Sequence, residues 1–520
     1  MRVLGRTPHP TALNAARRRR ELAALGDDPT VDVLVIGGGI TGAGIALDAA
    51  SRGLRTVLVE RHDLAFGTSR FSSKLVHGGL RYLAAGQFGI AYESAAERHL
   101  LMARIAPHLT GSLAQVLPLH DDGYMSRGAY IGLGYVLGDG LRRAVGTPGA
   151  VLPAPGPVSA DEVRRLAPGV RTSGLHGGVR GWDGRLVDDA RLVVAVARTA
   201  AGYGARVLTR VEAVAATGDG AVLRDVLTGE RLAVRARAVL SATGVWAGGL
   251  DASVRLQPSR GTHLVVDAAR LGAGDVSLTA LVPGSSSRFV FTVPAPHGRA
   301  YIGLTDVPVS GPVPEVARAT DAEIDMLLQV IGTVLDRPLH RGDVLGTFAG
   351  LRPLLAGDAD EPSDLSRRHA IIPSSTGVLS VVGGKLTTYR RMAQDGVDAA
   401  LRHAGLPALA CRTHEVPLVG AWPRARLGEI AAPARLVHRY GAEAPYLSRF
   451  GGGPDAACGV TAAELAWGVA VEGALTLDDL LDRRTRLGLV AADRDRSGPA
   501  AASAFGRAGV DPVGDAVAAE

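Results

Sequence analysis

Between Val31 and Ile36 only Asp32 interrupts an apolar run, a pattern that predicts a strand covered on both faces. The run stops at Gly37-Gly-Gly-Ile-Thr-Gly42, and apolar residues then recur at helical spacing from Ile40 to Arg52, with Gly53 as the expected C-cap. Thr56-Val-Leu-Val59 reads as a second, parallel strand ending at Glu60. Strand, glycine turn, helix, strand and acid together form the unit that binds a dinucleotide. Gly37 permits the tight turn, Gly39 lets the backbone approach a pyrophosphate, and Gly42 lets the helix pack on the sheet. Ile40 and Thr41 open that helix, whose N–H groups face the phosphates. Glu60, eighteen residues after Gly42, is placed to accept from a ribose hydroxyl, which favours an unphosphorylated ribose. In a chain with 68 glycines the G-x-G-x-x-G spacing alone means little, and the full unit carries the inference.

Further along, the pattern changes several times. Residues 1–30 form a basic extension whose Arg17 to Arg20 run has helical spacing; it reads as a solvated helix on the domain, with a membrane or nucleic-acid contact as the alternative. Asp63 to Leu83 is dense in hydroxyls and holds Lys74, His77, the Gly78-Gly79 pair and Arg81, too polar for core and suited to a long functional loop. Tyr92 to Ile105 is a scaffold helix stopped by Pro107. Residues 111–170 carry no sharp motif, and the apolar Ala129 to Leu141 reads as core or as a contact in a homodimer. A helix from Leu192 to Ala201, a strand from Arg206 to Val211 and a hairpin turning at Thr228-Gly-Glu lead to the strand Ala236–Leu240, which ends in Ser241-Ala-Thr-Gly-Val-Trp-Ala247.

From 257 to 345 alternating segments predict an antiparallel sheet, a natural wall for a substrate cavity. Val378 to Val382 is a strand that breaks at Gly383-Gly384 into a helix beginning with Lys385 and Thr387. Residues 405–495 read as a helical cap, and the Ala/Gly-rich 496–520 as a flexible tail. The expected architecture is therefore α/β: a discontinuous Rossmann-like domain over 31–256 and 346–404, an inserted antiparallel-sheet substrate domain, and a C-terminal helical domain.

Composition narrows the chemistry. At 520 residues two or three domains are expected. Only 2 cysteines exclude a disulfide scaffold and a thiolate metal site, which points to a reducing cytosol. No secretion signal or stretch of ~18 apolar residues is present, so the protein is expected to be soluble or to lie on a membrane. The net charge of +6 is spread too thinly to imply nucleic acid, and the Arg17 to Arg20 run lacks the interleaved aromatics that stack bases. Of 57 basic residues only Lys74 and Lys385 are lysine, leaving 57 − 2 = 55 arginines. Where arginine is accepted almost everywhere, two surviving lysines mark candidate sites for a compact ammonium.

Ser72-Ser-Lys-Leu-Val-His-Gly-Gly-Leu-Arg-Tyr-Leu83, Gly350-Leu-Arg-Pro353 and Gly383-Gly-Lys-Leu-Thr-Thr-Tyr-Arg390 closely resemble the FAD-dependent glycerol-3-phosphate dehydrogenase family. The early glycine turn and the returning strand ending Ala-Thr-Gly fit the same resemblance, which runs from about Asp32 to Arg390 and, more weakly, to Thr476–Leu487. It implies oxidation of sn-glycerol 3-phosphate to dihydroxyacetone phosphate, with electrons passed from FAD to a quinone. The implied location is the cytoplasm, peripheral on the inner face of the cell membrane. It carries FAD contacts to the glycine turn, Glu60, Thr68, Ser69, Ser72, Ser73, Lys74, His77, Gly78, Val211, Thr243, Gly244, Trp246, Gly384, Lys385, Leu386 and Thr387. Substrate contacts fall on Arg81, Tyr82, His263, Arg352 and Lys385.

The residue chemistry agrees. A phosphomonoester carries about −1.5 to −2 charge near neutrality and requires forked cations, for which Arg81 and Arg352 are best suited. Lys385 at a helix start adds charge near substrate or reduced flavin, and His263 is the favoured base, with His77 in reserve. The alternatives are an oxygen-using glycerol-3-phosphate oxidase, against which the missing Lys-rich insert argues, and an amine or 2-hydroxyacid oxidase, for which the cations are too many.

Overall fold

The computed structural model describes residues 10–79, 82–83, 86–121, 124–285, 288–356, 368–407, 409–510 and 512–513. Two sheets organise it. The first has the strand order His369–Pro373, Leu379–Gly383, Arg231–Ser241, Thr30–Ile36, Thr56–Glu60 and Arg206–Thr209. From Leu379–Gly383 to Arg206–Thr209 neighbouring strands pair in parallel, so Gly383, Ser241, Ile36, Glu60 and Thr209 all end on one edge. In such sheets the crevice beyond the carboxyl ends is where a nucleotide binds. The near-continuous apolar strand Thr30–Ile36 is covered on both faces, its Val33 and Val35 facing one core cluster and its Leu34 and Ile36 another. The helices Ile40–Ser51 and Tyr389–His403 cross closely at Gly44, where a Cβ would lie 2.9 Å from the Tyr389 ring. Helix Ile40–Ser51 ends two residues before Gly53, with Arg52 at its C-cap, and Gly53 takes φ +89°.

Among the described residues the second sheet has ten strands and is larger than the alternating segments of 257–345 suggest. It also takes in Leu75–Val76, Thr110–His120, Gly156–Ser159, Leu175–Leu186 and, beyond Leu345, the rest of Val344–Arg352. Pairing is antiparallel except between Ser277–Leu281 and Thr110–His120. Leu175–Leu186 is obscured in the sequence by its glycines, which normally weaken a strand. Here they are demanded by close neighbours: a Cβ on Gly178 would meet Leu117 O at 2.8 Å, on Gly181 the Tyr135 ring at 1.9 Å, and on Gly184 Val76 O at 2.6 Å.

Two peripheral segments also differ from or sharpen the sequence reading. The expected flexible tail begins inside a helix, Ala491–Ala508, whose Ala501, Ala504 and Phe505 are fully buried. Small side chains there let it pack closely against Ala462–Ala470, so an Ala-rich composition signals tight packing rather than disorder. The basic helix Ala15–Asp27 lies on the domain. Arg18 is buried, bonding Asp225 at 2.5 Å and Thr209 O at 2.7 Å. Arg17 donates to Ala201 O and Glu21.

Candidate active site

The glycine turn is built by exclusion. A Cβ on Gly42 would sit 1.8 Å from Gly37 O, and one on Gly37, at φ +111°, would sit 2.6 Å from Ala242 O. The turn therefore closes on itself and against Ala242-Thr243, the end of the neighbouring strand. Glu60 accepts from Gly38 N at 2.6 Å and from His62 N at 2.8 Å, and burial raises its carboxyl pKa. It fixes the second strand's end beside the turn. Gly39, by contrast, has ordinary extended backbone and only Ser69 Oγ within reach of a Cβ, at 3.1 Å. This cradle, a glycine-lined helix N-terminus at the carboxyl edge of a parallel sheet with an acid at the next strand end, fits a dinucleotide cofactor.

One loop ties the cradle to the second sheet. Ala65 N donates to Gly38 O, and Ser69 Oγ accepts from Ile40 N at 2.9 Å. Thr68 Oγ1 donates to Leu351 O at 2.6 Å, one residue from Arg352, and Ser73 Oγ lies 3.0 Å from His263 Nε2. The Trp246 ring closes the loop from the first-sheet side, 2.8 Å from a Cβ on Gly67, with Thr243 and Gly244 preceding it in a short turn. Several other expected cofactor residues also bind the scaffold. Lys74 spends its three N–H donors on Arg70 O, Ser72 O and Asp189, and burial pushes its ammonium down to about 8. Ser72 binds the same Asp189 carboxylate through N and Oγ. Gly78 packs on the Arg98–Asp183 ion pair, His77 beside it is half-buried, and Val211 lies in the core with Val57 and Val59.

The cation-bearing side chains come from both sheets. The strands Ser259–Asp267 and Val344–Arg352 pair so that Ser259 faces Arg352 and His263 faces Phe348. Arg352 Nη1 donates to Asp306 at 2.9 Å and Nη2 to Thr305 O at 3.0 Å. His263 is 2% exposed and stacks on Phe348 at 4.7 Å; its Nδ1 is buried without a partner among the described residues. On the first sheet, Gly383 and Gly384 take φ +76° and +71° and turn the chain into Lys385. The Lys385 ammonium sits 3.6 Å over the Tyr82 ring and donates to Ser94 Oγ at 2.8 Å. Leu386 and Thr387 continue into the following helical turn. Arg81 lies outside the described residues.

Burial, then Lys74 and Arg352, push His263 well below the ordinary imidazole value, so its neutral form persists at mildly acidic pH. If it takes the substrate proton, the acid limb of kcat falls below pH ~6.5, the unperturbed value. A limb at or above that value in the pH profile of flavin reduction removes His263 from this role.

The sequence reading missed how the C-terminal region enters the site. Asp63, at the start of the loop, is gripped by Arg484 Nη1 and Nη2, both at 2.8 Å, and Arg483 Nε at 2.7 Å. Arg486 Nη2 donates to Arg70 O at 2.7 Å. The available signal was the density of Arg and Asp in Asp478 to Arg486, which is unusual for a solvated helix only if those charges are buried.

These features define a dinucleotide-binding protein with a parallel sheet that carries the glycine turn, a second mixed sheet and a helical C-terminal region. Residues 32–390 match the FAD dependent oxidoreductase family and residues 411–505 the C-terminal domain of alpha-glycerophosphate oxidase. The chain belongs to the FAD dependent oxidoreductase family and, within it, to the glycerol-3-phosphate dehydrogenases. It is 50% identical over 507 residues to glycerol-3-phosphate dehydrogenase 1 of Mycobacterium tuberculosis, covering 94% of this chain and 97% of that one. To the aerobic glycerol-3-phosphate dehydrogenase of Staphylococcus aureus it is 33% identical, covering 75% and 71%. The crystal structure of the glycerol-3-phosphate dehydrogenase from Bacillus halodurans complexed with FAD superposes with a TM-score of 0.71 at 26% identity, covering 96% and 92%.

Proposed function

We propose that the protein oxidises sn-glycerol 3-phosphate to dihydroxyacetone phosphate at the junction of its two sheets and passes the electrons to a quinone. The observation that carries this reading is the loop from Asp63 to Ser73, which bonds the cofactor turn through Ser69 and the substrate sheet through Thr68 and Ser73. FAD supplies the hydride acceptor. The chain's own residues hold it by the Gly37 to Gly42 turn, Glu60 and the Gly384 turn. Arg352, with Arg81, forks the phosphate; His263 accepts the C2 hydroxyl proton; Lys385 supplies point charge. Anaerobic addition of glycerol 3-phosphate to the purified yellow protein should bleach the flavin band, and a band that persists at saturating substrate overturns the reading.

Lys385 gives a sharper expectation. Its compact ammonium fits between the Tyr82 face and Ser94 Oγ, where a planar guanidinium cannot place its charge as well. Lys385→Arg should keep its FAD and reduce roughly 10-fold more slowly, about 1.4 kcal/mol in the barrier, with Lys385→Ala slower still. Stopped-flow reduction at the parent's rate would mean that a lysine is not required there.

The quinone and a peripheral position on the inner face of the membrane are supported by exposed apolar side chains on two adjoining helices. Helix Phe88–Leu100, which carries Ser94, exposes Phe88 (66%) and Tyr92 (50%) one turn apart. The adjoining helix Tyr124–Ala144 exposes Val136 (62%) and Leu137 (50%). No helix among the described residues is long and apolar enough to cross a bilayer, so this face would bind at the interface. Phe88→Ser should weaken co-sedimentation with anionic vesicles; unchanged binding excludes this face.

A further inference from the structure

His263 and Arg352 share one face of the strand Ser259–Asp267. A Cβ on Gly261 would fall 2.4 Å from Arg352 Nη2, so the guanidinium covers Gly261, and His263 projects from the same face two residues on, ~7 Å along the strand. The imidazole is held on two sides. Phe348, opposite it on the neighbouring strand, stacks on the ring at 4.7 Å, and the edge bearing Nε2 lies against Gly303, where a Cβ would come within 2.6 Å of that nitrogen. Ser73 Oγ, from the loop that reaches the cofactor turn, meets the same nitrogen at 3.0 Å. Nδ1, on the ring's other edge, is buried with no partner among the described residues. Burial and the Lys74 and Arg352 charges keep the ring neutral, so it carries one proton, and the nitrogen that holds that proton decides what the other can do.

We propose that Ser73 is a positioning residue that fixes the His263 tautomer: its Oγ accepts from Nε2–H, which leaves Nδ1 as the nitrogen that takes the C2 hydroxyl proton of the substrate. The proposal rests on His263 as the base. In the other tautomer Ser73 donates to Nε2, and an N–H donor is sealed at Nδ1 with nothing to receive it, a rarer and costlier defect than an unused lone pair. That tautomer would also present the substrate with a proton donor, so Nδ1 could take no proton. With Nε2–H on Ser73, the leftover hydrogen belongs to the hydroxyl of a half-buried residue, which can rotate toward solvent. Transfer of the substrate proton to Nδ1 then gives an imidazolium, and its bond to Ser73 strengthens as the charge develops. A hydroxyl orients the ring without the negative charge by which a carboxylate would raise its pKa.

The first test uses the parent holoenzyme, so it needs no Ser73 variant to fold. Nitrogen-15 NMR of histidine-labelled protein without substrate, with His263→Asn to assign the signals, should show His263 protonated at Nε2 and bare at Nδ1. A proton on Nδ1 overturns the proposal. The second test is stopped-flow flavin reduction by glycerol 3-phosphate. Ser73→Ala should keep its half-saturation concentration and reduce roughly 10-fold more slowly at saturation, because a share of the rings then presents N–H to the substrate. Ser73→Thr restores the hydroxyl and should recover most of the rate; a rate that stays at the Ser73→Ala level assigns the loss to loop packing and overturns the proposal. His263→Asn separates the underlying reading and should slow reduction at least ~100-fold. If His263→Asn is slow but Ser73→Ala matches the parent, the base stands and the tautomer lock falls. If His263→Asn itself matches the parent, the base reading falls and the proposal with it.

Discussion

Gly39→Val should purify as a folded but colourless protein. Gly39 sits at φ −75° and ψ −176°, a conformation open to any residue, and a Cβ there meets only Ser69 Oγ at 3.1 Å, a hydroxyl that can rotate away. The substitution therefore leaves the turn intact and fills the space through which the pyrophosphate reaches the helix N-terminus. FAD affinity should fall at least ~100-fold, equivalent to ~2.7 kcal/mol. Gly42→Val provides the contrast, because its Cβ would sit 1.8 Å from Gly37 O and the turn itself could not form. The flavin-to-protein absorbance ratio, with circular dichroism to confirm the fold, decides the matter. A Gly39→Val protein as yellow as the parent would mean that the cofactor does not lie on this turn.

That contrast shows where sequence was a sufficient guide. The first sheet was legible because its strands are short apolar runs separated by a glycine turn and a helix of regular period, and Glu60 could be placed at the end of the second strand from spacing alone. The second sheet was only half legible. Leu175–Leu186 carries glycines at the points where Leu117, Tyr135 and Val76 press against it, so the packing that makes it a strand also erases its strand signature. Ala491–Ala508 failed for a related reason, since small residues read as a tail until a partner helix is seen to lie on them.

Among site residues, both lysines stood out in a chain of arginines, Lys385 as charge near substrate or flavin and Lys74 as a residue of the cofactor loop. The fold separates them by burial: Lys74 is sealed against Asp189 and two carbonyls, whereas Lys385 lies against Tyr82 and Ser94. Nor could spacing reveal that Arg352 lies on Asp306, forty-six residues earlier, because strand pairing alone brings them together.

The largest loss of stability is expected at Asp63, far in sequence from the arginines that hold it. Asp63 is 1% exposed, as is Arg484, and Arg483 is 3% exposed. Burial alone would raise the Asp63 carboxyl, but Arg484 and Arg483 hold it far below the ordinary carboxylate range. Asp63→Ala leaves two buried guanidinium groups short of their shared counter-ion, although Arg483 retains Asp479 at 2.5 Å. Breaking a buried pair in this way costs about 3–5 kcal/mol.

The effect should reach the cofactor, because Asp63 anchors the loop whose Ala65 and Ser69 rest on the glycine turn, so FAD should be lost along with thermal stability. Asp63→Asn keeps acceptor geometry without charge and should fall between the two. Since the folded pKa is depressed, the carboxylate's contribution is fully present above the unfolded value of ~3.9 and vanishes only as pH falls through the folded one. The gap in melting temperature between parent and Asp63→Asn should therefore be constant from mildly acidic to alkaline pH. Thermal melts across that range, paired with FAD titration of the apoprotein, test both halves. A variant that melts with the parent and keeps its FAD would show that the C-terminal arginines do not hold the loop.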